Sequence, residues 1–352
     1  MNKTNNFSLV CLLFLLFCLV GGNSKAQDVH FSQAEFSPLT LNPALAGANS
    51  SFQGITNFRS QYGSFTTPYQ TMAASIDGRF TEGIKNSKGS FGGGLNFYND
   101  KMGDGNFTQT MVNISLAYQL MLNKKSRLGV GLSSGFGTCS ANPNAGQWGT
   151  QYDGMAFNPL LASGESFYNQ NFSYFDMGAG MLYSYRTKNA FLTEKADKFF
   201  NIGVSATHLN RPIYSFYNSS IQHLPIRYTV FANADIGLPS SNGAFLPGIY
   251  YSRKKTSNEI LAGFYYKQFL KNESRTTGLV KANSLYLGLF TRFKDAMILK
   301  AMIEWGTVSA GFAYDINISR LSTVINYKGG MEVFVRYDLN KFKGSSKLRS
   351  KT

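Results

Sequence analysis

The residues able to do chemistry are few. His30, His208 and His223 are the only histidines in the 352-residue chain. His208 and His223 flank a connector, and no carboxylate lies near either in sequence. The ligand spacing of a metal site is therefore absent, and hydrogen bonding within a loop is the expected role. His208 with Asn210 is the only nominal start of a nucleophile, base and orienter set, and no serine is singled out to complete it. Gly92-Gly93-Gly94, followed by Asp100 and Asp104, lacks the Gly-Lys-Ser/Thr and helix of a phosphate loop. It also lacks the alternating acids and closing Glu of a calcium loop. Small residues on a crowded wall and then a hairpin explain it better. Cys139 is the one cysteine beyond the N-terminal apolar run, so it reads as a small apolar filler. No catalytic residue, metal site or cofactor is expected, and neither is enzyme function.

One set of charges is more informative. Lys300 and Glu304 share a face of one strand-like segment, Asp315 lies on the next, and Glu332, Arg336 and Asp338 lie on the last. Mixed-sign charges on adjacent strands can pair and fill an interior. A solvated pore would carry the same residues, so the set separates a filled lumen from an open one only weakly.

The elements that must position these charges show a period of two. Val308, Ala310, Phe312, Tyr314, Ile316 and Ile318 alternate with Ser309, Gly311, Ala313, Asp315, Asn317 and Ser319. Met331, Val333, Val335 and Tyr337 alternate with Glu332, Phe334, Arg336 and Asp338. Segments 113–122 and 228–236 behave alike. One apolar and one polar or small face means half-buried strands. These runs approach the ~9–11 residues of a tilted membrane strand and exceed the ~5–6 typical of a soluble sandwich. Aromatics near strand ends (Tyr183/Tyr185, Tyr250/Tyr251, Tyr265/Tyr266, Trp305) suit a headgroup girdle.

Fourteen strands are predicted: 52–60, 69–80, 89–98, 107–122, 126–137, 173–185, 199–208, 227–237, 244–252, 259–267, 284–293, 296–305, 307–318 and 330–339. The expected fold is all-β, a transmembrane outer-membrane barrel of about 14 antiparallel strands. An even count puts both termini in the periplasm. Connectors 138–172 and 209–226 then fall outside, as long loops should, whereas 268–283 is a long connector on the periplasmic side.

The N-terminus reads as an export leader. Lys3 precedes an apolar run, Phe7 to Val20, too short for a comfortable membrane span, and Ser24-Lys25-Ala26 sets small residues before cleavage at Gln27. Phe17 and Leu19 do not suit Cys18 as a lipid-accepting cysteine. The chain holds 34 Lys and Arg against 19 Asp and Glu, a net charge of +15. Lys341, Lys343, Lys347, Arg349 and Lys351 stand in an acid-free tail. For an exported chain, outer-membrane lipid or acidic proteins are better partners than nucleic acid, which is not expected. The domain reading is 1–26 signal peptide, 27–50 N-terminal periplasmic segment, 51–340 barrel and 341–352 basic tail.

In Leu41-Asn42-Pro43-Ala44-Leu45-Ala46-Gly47, Asn42 can cap, Pro43 suits a first helical position, and Gly47 can end the turn in the left-handed region. Ser37 and Asn42, each before a proline, are pushed toward extended backbone. A defined segment at the periplasmic mouth is expected, and physics alone gives it no function.

That segment resembles the opening of the PorP/SprF family of type IX secretion membrane proteins: Gln27-Asp28, His30-Phe31-Ser32-Gln33, Ser37-Pro38-Leu39 and Leu41-Asn42-Pro43-Ala44 with Gly47. Further family-like marks follow in order. They include Phe58-Arg59-Ser60-Gln61-Tyr62, Pro68-Tyr69-Gln70, Ser75-Ile76-Asp77, Gly93-Gly94-Leu95, Asn99-Asp100-Lys101, His208-Leu209-Asn210-Arg211-Pro212, Leu224-Pro225, Arg227-Tyr228, Tyr314-Asp315 and Gly329-Gly330-Met331-Glu332. Ala34-Glu35-Phe36 departs from the usual aromatic pair, and Met331 stands where a His is common. The resemblance implies an integral outer-membrane barrel needed for export or surface attachment of a large secreted surface protein. It also implies contact with the periplasmic ring lipoproteins of type IX secretion, and no cofactor. On this reading Asp28, His30, Phe31, Gln33, Pro38, Asn42, Pro43 and Gly47 are expected to bind the machinery, and loops 138–172 and 209–226 the exported partner. The alternative on the same fold is an outer-membrane porin or hydrophobic-substrate uptake channel.

Overall fold

A computed structural model describes residues 30–63, 67–80, 88–103, 105–142, 146–164, 170–187, 198–216, 222–239, 241–271, 283–319 and 328–339. The expected leader, Asp28 and the basic tail lie outside these residues. Fourteen strands form: β1 Phe52–Gln61, β2 Tyr69–Arg79, β3 Gly89–Met102, β4 Phe107–Met121, β5 Ser126–Ser140, β6 Asn171–Thr187, β7 Lys198–Thr207, β8 Arg227–Gly237, β9 Gly243–Lys254, β10 Ser257–Lys271, β11 Asn283–Arg292, β12 Ala296–Trp305, β13 Val308–Asn317 and β14 Lys328–Asp338. Each pairs antiparallel with its neighbours in sequence, and β1 pairs with β14 from Gln53↔Asp338 to Gln61↔Gly330, closing the barrel. Closure satisfies every edge, which is what permits strands in hydrocarbon. Among the described residues no helix is long and apolar enough to cross a membrane.

Each strand sorts its side chains by the pleat. On β12, Met297, Leu299, Ile303 and Trp305 face out, while Ala296, Ile298, Lys300, Met302 and Glu304 face in. On β4, Val112, Ile114 and Leu116 face out against inward Ser115, Ala117 and Gln119. An Arg or Lys on the lipid face near the bilayer midplane costs about 2–4 kcal/mol, so the charges turn inward.

Two sequence expectations need correction. Tyr250 and Tyr265 are not girdle residues but are buried inside the barrel, because adjacent residues on a strand must face opposite ways. Their neighbour Tyr266 is outward and exposed. Asp100 is not in a turn either. It lies on β3, where the Thr71 hydroxyl donates to it at 2.6 Å.

Both ends of the barrel chain, Phe52 and Asp338, lie at one rim, which is therefore periplasmic. The described parts of the long connectors 141–170 and 208–226 lie at the other. The connector after β10 shortens to 272–282, since β10 runs on to Lys271 and β11 begins one residue earlier than the period-two signal showed. It lies outside the described residues.

Candidate functional site: a lumen filled by the N-terminal segment

A fourteen-strand ring is too wide for its own side chains to fill comfortably. The segment from His30 to Ser50 occupies it. It enters the outer half near His30, descends through the lumen and joins β1 at the periplasmic rim. A 3-10 turn (Ala34–Phe36), one α-helical turn α1 (Pro38–Leu41) and a second 3-10 turn (Pro43–Leu45) carry it down. Asn42 is extended, and its side chain accepts from the Ala44 N–H at 2.8 Å, so the expected cap and turn are present. Gly47 has φ +63° and sits against the backbones of Gly78 and Gly92, where a Cβ has no room.

The outer half of this plug is held by charge. Arg59 and Arg292 converge on Asp315, with nitrogen to oxygen distances of 3.0 and 3.2 Å. Arg59 also reaches Glu332 at 3.4 Å, and Arg292 reaches Asp295 at 2.9 Å. Ser32 lies at the centre. Its hydroxyl donates to Asp315 at 2.7 Å and accepts from Arg59 at 2.9 Å and Arg292 at 2.7 Å. The N–H groups of Ser32 and Gln33 donate to the two oxygens of Glu332 at 2.7 and 3.0 Å. A carboxylate accepting from two successive backbone amides fixes the path of the segment, because such charge-assisted bonds are roughly twice as strong as neutral ones.

One turn lower, Lys300 donates to Glu35 at 3.0 Å and sits 3.6 Å over the Phe290 ring. The Tyr265 hydroxyl also donates to Glu35. Phe36 stacks on Phe334 with centroids 3.7 Å apart. The lower half is neutral and tight. The Asn42 amide donates to the carbonyls of Met181 and Val204, each at 3.0 Å, Ser205 donates to the Leu41 carbonyl at 2.7 Å, and Gln119 to the Ala44 carbonyl at 2.6 Å. Gly131 allows this contact, since a Cβ there would strike the Ala44 backbone. At the periplasmic rim Asp77 accepts from the Gly47 N–H at 2.9 Å, and Ser50 donates to Asp338 at 2.9 Å.

The outer mouth is capped as well. Phe31 packs with Tyr98, Met111, Tyr174 and Leu224 in a buried cluster that also takes in Phe172, Tyr214 and Phe216. Tyr214, Phe216 and Leu224 belong to the outer connector, which an Ile213↔His223 bridge pinches. The buried Cys139 thiol donates to the Tyr214 hydroxyl at 3.3 Å. His208 lies 2.9 Å from Asp176, the carboxylate that sequence proximity did not reveal, and His223 meets the Arg211 carbonyl at 2.8 Å.

Of the described residues expected to bind machinery at the periplasmic mouth, only Gly47 lies near it. His30, Phe31, Gln33, Pro38, Asn42, Pro43 and Gly47 lie within the lumen, and Gln33 and Asn42 are wholly inaccessible. The segment carries enough apolar surface and amide groups to satisfy the inner wall, and burial there outweighs exposure at the rim. The lumen charges fall into two groups. Lys300, Asp315, Glu332 and Asp338 bond to the plug directly and Arg336, which donates to Ser309 at 3.2 Å, lies 5.4 Å over its Phe36 ring, while Glu304 pairs with Lys267 at 3.6 Å. Sequence reasoning missed Arg59, Arg292, Glu35 and Ser32 as members of the network. Arg59 and Arg292 were findable, being on the inward positions of their strands. Glu35 and Ser32 carried no signal, because nothing local says their segment turns into the barrel. Among the described residues no group of three or more His, Cys, Asp or Glu could hold a metal ion.

The family model described as type IX secretion system membrane protein PorP/SprF matches residues 23–337. The chain belongs to the PorP/SprF family. It is an integral outer-membrane β-barrel of type IX secretion. No curated protein matches the sequence. Solved barrels of similar shape are distant. BamA from Haemophilus ducreyi lacking POTRA domains 1–3 is 10% identical, with TM-score 0.43 over 82% of this chain and 70% of that one. CdiB from Acinetobacter baumannii is 8% identical, with TM-score 0.41 over 82% and 60%. A deltaS2 mutant of the TodX monoaromatic hydrocarbon channel is 8% identical, with TM-score 0.46 over 87% and 94%.

Proposed function

We propose that this PorP/SprF barrel supports export or surface attachment of specific large secreted proteins by protein–protein contact, without conducting them through its own lumen. The observation that carries this reading is the lumen itself, filled from His30 to Ser50 by the chain and capped by aromatics. A folded or unfolded client has no passage there. Contact with the periplasmic ring lipoproteins is assigned to the periplasmic rim, since the N-terminal segment is engaged inside. Contact with the exported partner is assigned to the outer loops. There Met155 and Leu160 stand more than 90% exposed, an apolar surface of the kind that marks interaction sites.

Deleting the gene should abolish surface display of one or a few large proteins while others remain. Unchanged display of every substrate of the system would overturn the role. The plug also counts against the porin or uptake-channel alternative: purified protein should leave a planar bilayer silent, and steady conductance would reinstate that alternative.

A further inference from the structure

The plug leaves space unfilled at the periplasmic end of the lumen. At the periplasmic mouth a cavity of about 120 Å³ is lined by Arg79, Lys125, Arg127, Arg186, Gln119, Ser184 and Phe199, with Ala48 and Asn49 of the N-terminal segment beside them. Arg79, Arg127 and Arg186 occupy inward positions at the periplasmic ends of β2, β5 and β6, and Lys125 sits in the β4–β5 turn. Among the described residues none of the four forms an ion pair with a carboxylate. Arg79 donates to the carbonyls of Gly47 at 3.1 Å and Ala48 at 3.3 Å, and Arg186 lies 4.6 Å over the Phe199 ring. The charges acting on Arg127 are the like charges of Arg79 and Arg186. In the outer half of the lumen, by contrast, Arg59, Arg292 and Lys300 each have a carboxylate within 3.0 Å. The mouth instead gathers four positive charges of self-repelling sign around a space.

We propose that this basic pocket is an anion-binding site that takes the carboxylates of an acidic protein segment presented from the periplasm. Guanidinium forks match carboxylate geometry, often bidentately, and partial burial strengthens each bond. The inward placement of the arginines separates them from lipid headgroups, which lie outside the wall. The arginines stand at the periplasmic ends of their strands, so a segment presented from the periplasm meets them first. The space admits one or two acidic side chains, and the Phe199 face offers an apolar lip beside them. The assignment rests on the proposed function only in naming a protein as the source of the carboxylates.

The test uses full-length protein in zwitterionic nanodiscs and fluorescein-labelled hexaglutamate as probe, followed by anisotropy. Wild type should bind, and rising salt should weaken binding as the charges are screened. The R127Q/R186Q double variant should lose about tenfold in affinity, as expected when charge-assisted bonds to the probe are removed. A K254Q/K255Q control at the outer β9–β10 hairpin removes the same net charge and should bind as wild type. If the double variant fails to give a heat-modifiable folded barrel, R186Q alone, whose guanidinium only overlies Phe199, should still lose about threefold. Equal binding by wild type and variants, or an equal loss in the control, would overturn the site. Displacement of the probe by millimolar inorganic phosphate, or by phosphatidylglycerol added to the nanodisc, would overturn the protein source. Neither result bears on surface display, so the proposed function is tested separately.

Discussion

Replacing Asp315 with Asn keeps the shape of the plug anchor and removes its central charge. Asp315 faces Arg59 at 3.0 Å and Arg292 at 3.2 Å, and only 2% of its side chain is exposed. With an effective dielectric constant of about 20, each contact is worth about 5 kcal/mol of attraction before desolvation. The opposing term is the water both guanidiniums lose when the segment covers them. In the wild type the carboxylate offsets that loss. In D315N two buried guanidiniums keep Glu332 and Asp295 as ion-pair partners, with Glu259 acting on them from farther away. When the segment leaves, lumen water solvates them again, so the penalty falls on the docked state. Breaking a buried pair by removing one partner costs about 3–5 kcal/mol, which shifts docked against undocked plug by about 150- to 4,000-fold. The assay is maleimide labelling of A34C in a C139A background, in folded protein. Ala34 lies on the plug beside the anchor, so its labelling rate follows the undocked fraction. Rates in D315N should exceed the D315-containing parent by at least about 100-fold, with bilayer conductance appearing in parallel. Equal labelling and a silent bilayer would refute the argument that charge holds the segment in the lumen.

Other outcomes follow from the same structure. Gly131→Val should push the Ala44 backbone off the wall at about 1–3 kcal/mol and raise A34C labelling, whereas Gly105→Ala, whose Cβ meets nothing within 4 Å, should not. Asn210→Ala removes a bond to the Phe175 carbonyl at 2.7 Å and one from the Met177 N–H at 3.2 Å. The outer connector should loosen by about 1–2 kcal/mol, read as faster protease nicking between 209 and 226 on intact cells. Met155→Asp with Leu160→Asp should leave barrel unfolding within about 0.5 kcal/mol of wild type and lower client display severalfold. Unaltered display would move the client contact away from that loop.

What the sequence determined by itself is the wall. A side-chain period of two is a property of each strand alone, so Met331 to Tyr337 or Val308 to Asp315 can be sorted into faces without knowing their neighbours. Sorting fourteen such segments yields strand count, closure, the side that meets lipid and the inward charges. The turn around Asn42-Pro43 was legible for the same reason, since cap and proline act within a few residues. The family likeness was legible because its marks are ordered along the chain. Only the tertiary structure decided where the opening segment goes. Its partners lie far away in sequence: Glu332 is 300 residues from Ser32, and Asp315 is 283. Their encounter depends on the width of the closed ring, which no local pattern encodes. Adjacent tyrosines at 250 and 265 looked like girdle residues until that interior existed to receive them. The lumen is filled because a ring of this width leaves polar wall unsatisfied, and the segment entering β1 supplies the nearest backbone amides and apolar side chains able to satisfy it.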